Sequence, residues 1–309
     1  MNNLERLQVC LKAIYDDDAR FMLLNRFGLC NNMSDEEYLK KAFKCNMGKD
    51  LNLENPQTFN EKIQWLKLHD RNPLYTLMVD KYLVKDYVAS IIGQEYIIPT
   101  LGVWDSPDDI DFDKLPDQFV LKCNHNSGTG MCICKDKSKL DVKKVKSELR
   151  KGLAQDYYLH GREWPYKNVP RKIIAEEYME DEKTGELRDY KFFCFNGVAK
   201  ALFIATDRQK EGEETKFDFY DMNFNHLPFI NGHPNSTMRI DRPERFDEMR
   251  ILAEKLSINI PHVRVDFYEV NGKVYFGELT FSHWSGMVPF EPEEWDYTFG
   301  SWIALNVRK

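Results

Sequence analysis

The chain has 309 residues, of which 42% are hydrophobic and 30% charged, as is typical of a globular protein with two or three subdomains. Its net charge of −7 gives no sign of a nucleic-acid-binding protein, and because no apolar run approaches the ~20 residues of a membrane helix, we expect no stable membrane insertion. The charged N-terminus is unlike a signal peptide, and 7 cysteines without a CxxC pair indicate thiols in a reducing cytoplasm, while the oligomeric state stays open.

The N-terminal part of the chain is predicted to be largely helical. Apolar residues recur there at helical spacing, and no strand leads through a glycine-rich loop into a helix. Residues 55–62 begin with a turn and continue into a helix. Residues 78–85 have the pattern of another amphipathic helix, with Lys81 and Lys85 on one side. A pair of lysines at this spacing is, without further context, most often solvated surface.

A small loop with two glycines separates two predicted strands, 119–123 and 131–134. The loop contains Ser127, Gly128, Thr129 and Gly130. Its backbone N–H groups and hydroxyls could hold a phosphate, and Lys122 could neutralise the phosphate charge. The G-x-x-x-x-G-K spacing of a P-loop is missing, and many hairpins turn through glycine, so both interpretations stay open.

Strand-like runs continue through the middle of the chain. Residues 173–179 are typical of a strand, and this run ends in Glu176, Glu177, Tyr178 and Met179. Asp189 opens a second strand, which turns at Asn196-Gly197 into a third. Asp111 and Asp113 have the D-x-D spacing of some metal sites, although in so acidic a loop this triplet is more often chance.

Residues 262–288 are the most informative stretch, because Asn271-Gly272 between alternating segments predicts a β-hairpin. A strict two-residue turn would place Asp266 and Glu278 on opposite faces, whereas a loop of three or five residues would place them on the same face. We predict the longer loop, because it gives the apolar residues one common side. That apolar set comprises Val263, Val265, Phe267, Tyr275, Leu279 and Phe281.

The opposite face of this hairpin would carry the polar residues Arg264, Asp266, Glu278 and Thr280. Two carboxylates and an arginine, followed by Ser285-Gly286 in a turn, would suit a divalent cation that holds a polyphosphate. The alternative is a solvated face with an ordinary Arg-Asp pair.

The order of these motifs resembles that of the ATP-grasp superfamily, including the D-alanine-D-alanine ligases. The succession is Asp80-Lys81 with Lys85, Val120-Leu121-Lys122 and the small-residue loop, residues 175–179, Asp189, Arg264-x-Asp266, Glu278-x-Thr280 and Ser285-Gly286-Met287. Residues 55–67 and Asp80-Lys81-Tyr82 resemble the TupA-like branch, which is associated with teichuronopeptide and other surface-polysaccharide synthesis. The resemblance extends from about residue 50 to the C-terminus.

This resemblance implies an α+β fold in which two antiparallel-sheet subdomains clasp ATP, with a largely helical N-terminal region. The implied divisions are residues 1–110 for the helical region, 111–180 for the lid subdomain and 181–309 for the C-terminal ATP-grasp subdomain. Lys81 and Lys122 would contact the ATP phosphates, and the 127–130 loop would close over them. Glu176 to Met179 would form the adenine hinge, with Glu176 accepting from the exocyclic amine, and Asp189 would bind the ribose.

The resemblance also implies a metal and a substrate site. Asp266 and Glu278 would hold Mg²⁺, and Thr280 stands where the family usually has an asparagine ligand, so a third ligand stays open. Arg264 would stabilise the transferring phosphoryl group, and the Ser285 and Gly286 amides would face a substrate carboxylate. A further cation is expected at the γ-phosphate; the candidates are Lys191, Arg208, Lys210 and Lys216.

The implied activity is that of a cytoplasmic ATP-dependent carboxylate-amine ligase, which forms an amide through an acyl phosphate. By analogy, the carboxylate would belong to a uronic acid or glutamyl unit of a cell-surface polysaccharide. Three alternatives are a hydroxyl kinase, a non-catalytic nucleotide-binding scaffold, and a metal-dependent glycosyltransferase of capsule or envelope polysaccharide in which Asp111 and Asp113 hold a sugar nucleotide.

Overall fold

The computed structural model describes residues 12–183, 185, 187–207, 212 and 214–305. Its helices are α1 (Asp17–Arg26), α2 (Asp35–Met47), α3 (Phe59–His69), α4 (Leu74–Val79), α5 (Val84–Ile92), α6 (Val142–Ala154), α7 (Tyr158–Gly161), α8 (Phe246–Leu256) and α9 (Glu294–Trp302). Its strands are β1 (Thr100–Trp104), β2 (Phe119–Cys123), β3 (Met131–Cys134), β4 (Ile173–Glu177), β5 (Asp189–Phe195), β6 (Val198–Thr206), β7 (Lys216–Asp221), β8 (His226–Leu227), β9 (Ile230–Asn231), β10 (Val263–Val270), β11 (Lys273–Thr280) and β12 (Phe290–Glu291). Over these residues, no helix combines the length and the apolar character that a membrane span requires.

The described residues fall into two compact units. Unit 1 contains the chain up to Arg71, Tyr158–Trp164 and the chain from Ser282, and unit 2 contains Asn72–Tyr157 and Pro165–Phe281. The predicted division at residues 110 and 180 stays a prediction.

Unit 1 is built mainly from helices, and this confirms the predicted helical N-terminal region for the part of it that the structure describes. The Ser34 side chain caps α2 by accepting from the Glu37 amide, and Thr58 and Glu61 form a capping box at the start of α3. Tyr38 and Phe43 on α2 pack in an apolar cluster of unit 1. These caps and the buried aromatic rings explain why the chain is helical here.

Unit 2 contains a four-stranded antiparallel sheet with the order β1-β4-β2-β3. Side chains alternate along β2, so Phe119 and Leu121 face the core, where Leu149 of α6 also lies, and Lys122 lies on the other face. Because Val120 is opposite Glu176 and Lys122 is opposite Ile174, Lys122 and Glu176 are diagonal neighbours on one face.

The second sheet of unit 2 has six strands in the order β11-β10-β5-β6-β7-β8, again antiparallel. One of its faces packs against α8 through Phe192, Phe246 and Val265. On β10 the alternate positions Arg264 and Asp266 lie on the opposite face, and Asp266 is directly across from Lys191 of β5. The register between β5 and β10 therefore brings charged residues together.

The hairpin formed by β10 and β11 was predicted, but its predicted loop length is wrong. Val270 pairs with Lys273, so Asn271-Gly272 is a two-residue turn. A β-bulge at Gly277 lets Phe267 pair with Phe276 while Asp266 pairs with Glu278, which keeps both carboxylates on one face as predicted.

The bulge also changes the apolar set of this hairpin. Val274 and Phe276 are buried in the core, whereas Tyr275 is only partly buried and lies outside the core cluster. The prediction for Tyr275 is wrong because one extra residue reverses the alternation on one side of the bulge.

Candidate functional site

The polar face of the six-stranded sheet carries a buried ion cluster. The Arg264 guanidinium donates to both carboxylate oxygens of Asp266, each at 2.7 Å. The Lys191 ammonium contacts the same carboxylate and lies 3.0 Å from Asp189 Oδ1. Asp266 is 1% exposed, so water contributes almost nothing to its solvation and the two cations must stabilise its charge.

The cluster continues onto β11. Arg264 also donates to Glu278 Oε1 at 3.2 Å and to Thr280 Oγ1 at 3.0 Å, and Lys81 Nζ lies 3.6 Å from Glu278 Oε2. Burial raises the pKa of the Glu278 carboxyl, but the surrounding cations, led by Lys81, outweigh burial and hold the pKa well below its usual range. The predicted residues Arg264, Asp266, Glu278 and Thr280 thus lie together.

A second ion group forms on the four-stranded sheet. Glu176 Oε1 is 2.7 Å from Lys85 Nζ, and Glu176 Oε2 is 2.5 Å from Lys122 Nζ. Burial raises the pKa of Glu176, but Lys122 and Lys85 together bring it below its ordinary value. Both oxygens of Glu176 are therefore engaged by lysines. The predicted contact of Glu176 with an adenine amine is not tested by this geometry.

A cavity of about 270 Å³ in unit 2 adjoins this second group. Its polar lining includes Lys122, Glu176, Glu177 and Asp189, all of which were predicted to line a binding site. The rest of the lining is largely apolar and aromatic, and it includes Ile98, Val120, Met131, Ile133, Tyr178, Met179, Leu187 and Tyr268. A mostly apolar pocket with a few charged groups is typical of a small-molecule site.

The predicted phosphate loop is anchored at both ends. Lys81 Nζ donates to the Asn126 carbonyl at 2.9 Å, and the Asn126 side chain donates to the Gly152 carbonyl of α6 at 3.1 Å. Gly130 has φ +70°, and a Cβ there would lie 2.8 Å from Gly152 Cα, so Gly130 is required for close packing on α6. Ser127 and Gly128 are exposed and Thr129 is partly exposed.

Ser285 and Gly286 belong to unit 1 and lie in a turn with left-handed backbone at Trp284 (φ 49°), Ser285 (φ 55°) and Gly286 (φ 61°). The Ser285 amide donates to the Ser282 carbonyl at 2.8 Å. The Ser285 carbonyl accepts from Lys67 at 2.7 Å and from Gln64 at 3.1 Å. The turn is therefore fixed from α3, and the predicted amide contact of Ser285 with substrate would compete with a bond inside the turn.

The structure places two of the four candidate cations for a γ-phosphate, and these two have different partners. Lys191 lies inside the ion cluster, whereas Lys216 at the start of β7 pairs with Glu214 at 3.8 Å. Arg208 and Lys210 lie outside the described residues. The sequence could not separate these cations, because the register that places Lys191 opposite Asp266 joins residues that are 75 positions apart in the chain.

The D-x-D spacing has a local structural role. Asp111 accepts from the Asp113 amide at 3.2 Å and pairs with Lys114 at 3.0 Å, so its carboxylate caps a short 3-10 turn. Across the described ranges, no group of three or more His, Cys, Asp or Glu side chains could hold a metal ion by itself.

Sequence reasoning gave no role to Gln64, Lys67 or Asn126. Gln64 and Lys67 belong to the run 55–67 and lie on α3. Both are polar, yet both are buried, which is unusual for polar residues of a helix. That run was singled out in the sequence, but only the fold assigns contacts to its residues.

The two ion groups together contain five basic and four acidic side chains, so they carry a net positive charge. They comprise Lys81, Lys85, Lys122, Lys191 and Arg264 with Glu176, Asp189, Asp266 and Glu278. Positive charge favours an anionic ligand, and facing carboxylates suit a hard divalent cation.

Comparison with known proteins identifies one family. The model of the TupA-like ATP-grasp family matches residues 61–304. Among curated proteins, the comparison found no match. Among solved structures, D-alanine-D-alanine ligase from Helicobacter pylori is similar at 12% identity and a TM-score of 0.44, covering 80% of this chain and 70% of that chain.

Two structures of the ATP-grasp ligase PsnB are also similar. PsnB with its minimal precursor shares 9% identity at a TM-score of 0.40, covering 72% of this chain and 60% of that chain. PsnB with a phosphomimetic variant of the minimal precursor, Mg and ADP shares 9% identity at a TM-score of 0.41, covering 72% of this chain and 57% of that chain. This chain thus spans about three fifths of the PsnB chains. The structural likenesses are distant, but the family model covers most of the chain, and we conclude that this protein belongs to the TupA-like ATP-grasp family and has its α+β fold of antiparallel sheets, as the order of motifs predicted.

Proposed function

We propose that this protein is an ATP-dependent carboxylate-amine ligase that requires Mg²⁺. The observation that carries the proposal is the sheet face on which Arg264 contacts both Asp266 and Glu278, with Lys191 and Lys81 beside these carboxylates. A structural ion pair needs only two of these residues. Four charges on one sheet face, with Lys81 reaching them from outside the sheet, are better explained by a ligand that exchanges partners with them.

The cavity lined by Lys122 and Glu176 to Met179 would receive the nucleotide. Because lysines hold both Glu176 oxygens, we assign Glu176 to the positioning of Lys85 and Lys122, and we assign adenine recognition to backbone groups of residues 177–179. Lys122 would then approach the phosphates, and Asp189 would accept from the ribose hydroxyls. Ser127 to Gly130, of which Ser127 and Gly128 are exposed, would close over the phosphates.

Mg²⁺ would be held by Asp266 and Glu278. The donor set fits this ion, because Mg²⁺ usually takes one or two protein carboxylates together with phosphate oxygens, and these two carboxylates are cross-strand neighbours. Thr280 could add a hydroxyl oxygen to the same face. When bound, the metal neutralises charge on the phosphates.

The chemistry follows from the poor reactivity of a carboxylate, whose leaving group would otherwise be hydroxide. Transfer of the γ-phosphoryl group to the substrate carboxylate would form an acyl phosphate and ADP. An amine would then attack the carbonyl carbon, and the bond to phosphate would break to give an amide and inorganic phosphate. Arg264 would stabilise charge that develops on the transferring group, and the turn at Ser285-Gly286 would bind a substrate carboxylate.

We infer that the carboxylate belongs to a uronic acid or glutamyl unit of a cell-surface polysaccharide, made on the cytoplasmic side. What supports this finer proposal is the resemblance of residues 55–67 and Asp80-Lys81-Tyr82 to the TupA-like branch, which implies surface-polysaccharide synthesis.

The first experiment is a thermal-shift comparison of ATP, GTP, UDP-glucose and UDP-glucuronate, each with Mg²⁺ and with EDTA. Selective binding raises the apparent stability of the folded state by mass action, so the proposal expects a shift with ATP that depends on Mg²⁺. A shift with the uridine sugars alone would instead favour a glycosyltransferase. Candidate carboxylates and amines are then tested for ADP release, which a ligase should show fully only when both are present.

The control for this assay is a pair of glutamate variants on the same hairpin. Glu278→Gln removes a proposed metal ligand, whereas Glu269→Gln changes a half-buried carboxylate that accepts from the Arg245 amide and lies outside the ion cluster. Loss of ADP release only in Glu278→Gln would support the site. Equal activity of both variants would contradict it.

A further inference from the structure

A second cavity of unit 2, of about 470 Å³, lies beside β7 and β8 and is lined in part by Asp218. Asp218 is directly opposite Ile204, which is opposite Tyr190, and both of these belong to the core that packs against α8. Residues opposite one another in neighbouring strands share a face of the sheet. Lys191 and Asp266 lie on the other face. The cavity is therefore separate from the ion cluster.

Asp218 is a buried carboxylate on this mainly apolar face. It is 2% exposed, both of its oxygens accept from the Ser236 amide at 3.2 Å, and His226 Nε2 lies 3.3 Å from its Oδ1. Burial raises the pKa of Asp218 above its ordinary value, because the amide and the imidazole compensate its charge only in part. Since a carboxylate can accept about four hydrogen bonds, donor groups of a ligand would stabilise it further.

An aromatic wall adjoins this carboxylate. The rings of Tyr220 and Phe224, which both line the cavity, stack with centroids 4.2 Å apart at an angle of 5°. Phe224 has φ +63°, which is uncommon for a bulky residue, and such a conformation persists only where its surroundings impose it. Here Asp221 accepts from the Asn223 and Asn225 amides at 2.9 and 2.8 Å and so fixes the turn.

The lining also includes a cation and a hydroxyl group. Arg239 is exposed and has no salt bridge to any residue that the structure describes. Burial raises the pKa of Tyr220 to about 12, so its hydroxyl keeps its proton at neutral pH and can donate. The cavity thus presents a guanidinium, a carboxylate, an imidazole and a hydroxyl beside an aromatic wall.

This combination suits an acidic sugar. A sugar hydroxyl both donates and accepts, so it can donate to Asp218 and accept from Tyr220. The apolar C–H face of a sugar ring can pack on Phe224, and a carboxylate pairs well with a guanidinium. The volume lies within the range of about 300–1,000 Å³ that is usual for small-molecule sites.

We propose that this cavity binds a hexuronate unit, with its carboxylate on Arg239 and its hydroxyls on Asp218 and His226. The membership of that unit in a polysaccharide rests on the proposed function, whereas the site is defined by its own residues. Such a site would keep an acidic polysaccharide bound to the protein while the reaction proceeds at the ion cluster on the opposite sheet face.

The test is methyl NMR on the full chain labelled with ¹³C at its methionine methyl groups, because this locates binding. Met238 lines the cavity and is 78% exposed, and its signal is assigned by its loss in Met238→Leu. D-glucuronate is compared with D-glucose, which lacks the carboxylate, and with acetate, which lacks the hydroxyls. Met131 and Met179 line the nucleotide cavity, so their signals report ATP and Mg²⁺ separately.

Three variants identify the groups that bind. Arg239→Gln removes the cation. Arg242→Gln is the matched control, because Arg242 is also exposed but pairs with Asp247 at 2.7 Å and lies outside the lining. Asp218→Asn removes the negative charge but keeps an oxygen that can accept from the Ser236 amide, so the contact to residue 236 is retained.

We expect D-glucuronate to shift the Met238 signal saturably in the wild type and in Arg242→Gln, with an affinity at least about tenfold above those of D-glucose and acetate. Arg239→Gln should lower the D-glucuronate affinity about tenfold and leave that of D-glucose unchanged, while Asp218→Asn should weaken both sugars.

The absence of a saturable Met238 shift would overturn the proposal, as would wild-type affinity for D-glucuronate in Arg239→Gln. Equal affinities for D-glucuronate and acetate would make the cavity a simple anion site, and wild-type affinities in Asp218→Asn would make Asp218 only an anchor for Ser236; either result also overturns it. Shifts of the Met131 and Met179 signals with ATP and Mg²⁺ test the proposed function on the same samples, whichever result D-glucuronate gives.

Discussion

Gly277 is the extra residue of the bulge in β11, and its removal is predicted to leave the hairpin folded. Without it, Val274, Phe276 and Leu279 would alternate regularly with Tyr275 and Glu278, starting from the two-residue turn. Glu278 would still lie opposite Asp266. Deletion of Tyr275 provides a matched comparison, because it also shortens β11 by one residue and also leaves Glu278 opposite Asp266.

The two deletions differ in the position of Phe276, which is 4% exposed in the core. Deletion of Tyr275 would turn Phe276 outward and place Gly277 on the apolar face, which is comparable to loss of a buried phenylalanine and should cost about 3–5 kcal/mol of unfolding free energy. Deletion of Gly277 reverses no buried side chain, so its cost should be about 1 kcal/mol or less. Turnover should nevertheless fall by about 100-fold, since a bulge sets the aim of the adjacent side chain, here Glu278.

Urea unfolding of both variants, followed by circular dichroism, measures these free energies. The reasoning would be refuted if deletion of Gly277 destabilised the protein as much as deletion of Tyr275. It would also be refuted if the Gly277 deletion had wild-type turnover, because the bulge would then have no part in placing Glu278.

Other predictions concern single side chains of the site. Asp266→Asn should abolish ADP release while retaining the fold, and retained turnover together with an unchanged Mg²⁺ requirement would contradict its role as a ligand. Lys122→Ala should mainly raise the KM for ATP, whereas Arg264→Ala should mainly lower kcat, and steady-state kinetics that show the reverse would exchange the two roles. Glu176 has a pKa below its ordinary 4.5 in the folded protein, so its ion pairs stabilise the fold above that pH and this contribution is lost as the pH falls through the folded value. Unfolding free energies between pH 6 and 3 should therefore fall more steeply for the wild type than for Glu176→Gln, and parallel curves would contradict this.

The hairpin illustrates what the sequence alone could predict. Asn271-Gly272 between alternating runs predicted the turn and the strands, and the need for one common apolar side placed Asp266 and Glu278 on the same face. The loop length was wrong because a glycine within a strand can mark either weak packing or a bulge, and Gly277 was not recognised as a bulge signal. The same omission misplaced Tyr275.

Contacts between distant strands were harder to predict. Lys191 was one of four equivalent candidates, since only the pairing of β5 with β10 brings it to Asp266. The adenine contact assigned to Glu176 from family analogy stays a prediction. Its contacts with Lys122, through the register of β2 with β4, and with Lys85 of α5 were not predicted. Spacing within one segment cannot specify such pairs.

The pairing of charges within the site has an energetic consequence for the proposed reaction. Each buried charge already has a partner, so none bears the full penalty of desolvation before substrate arrives. When ATP and Mg²⁺ bind as proposed, phosphate oxygens would replace carboxylates as partners of the lysines and Arg264, and the metal would replace those cations at Asp266 and Glu278. Binding is then an exchange of partners, in which a buried charge is compensated throughout. A site of this kind should bind ATP and Mg²⁺ together more tightly than the product of their separate affinities, because either ligand alone leaves some charges without a partner.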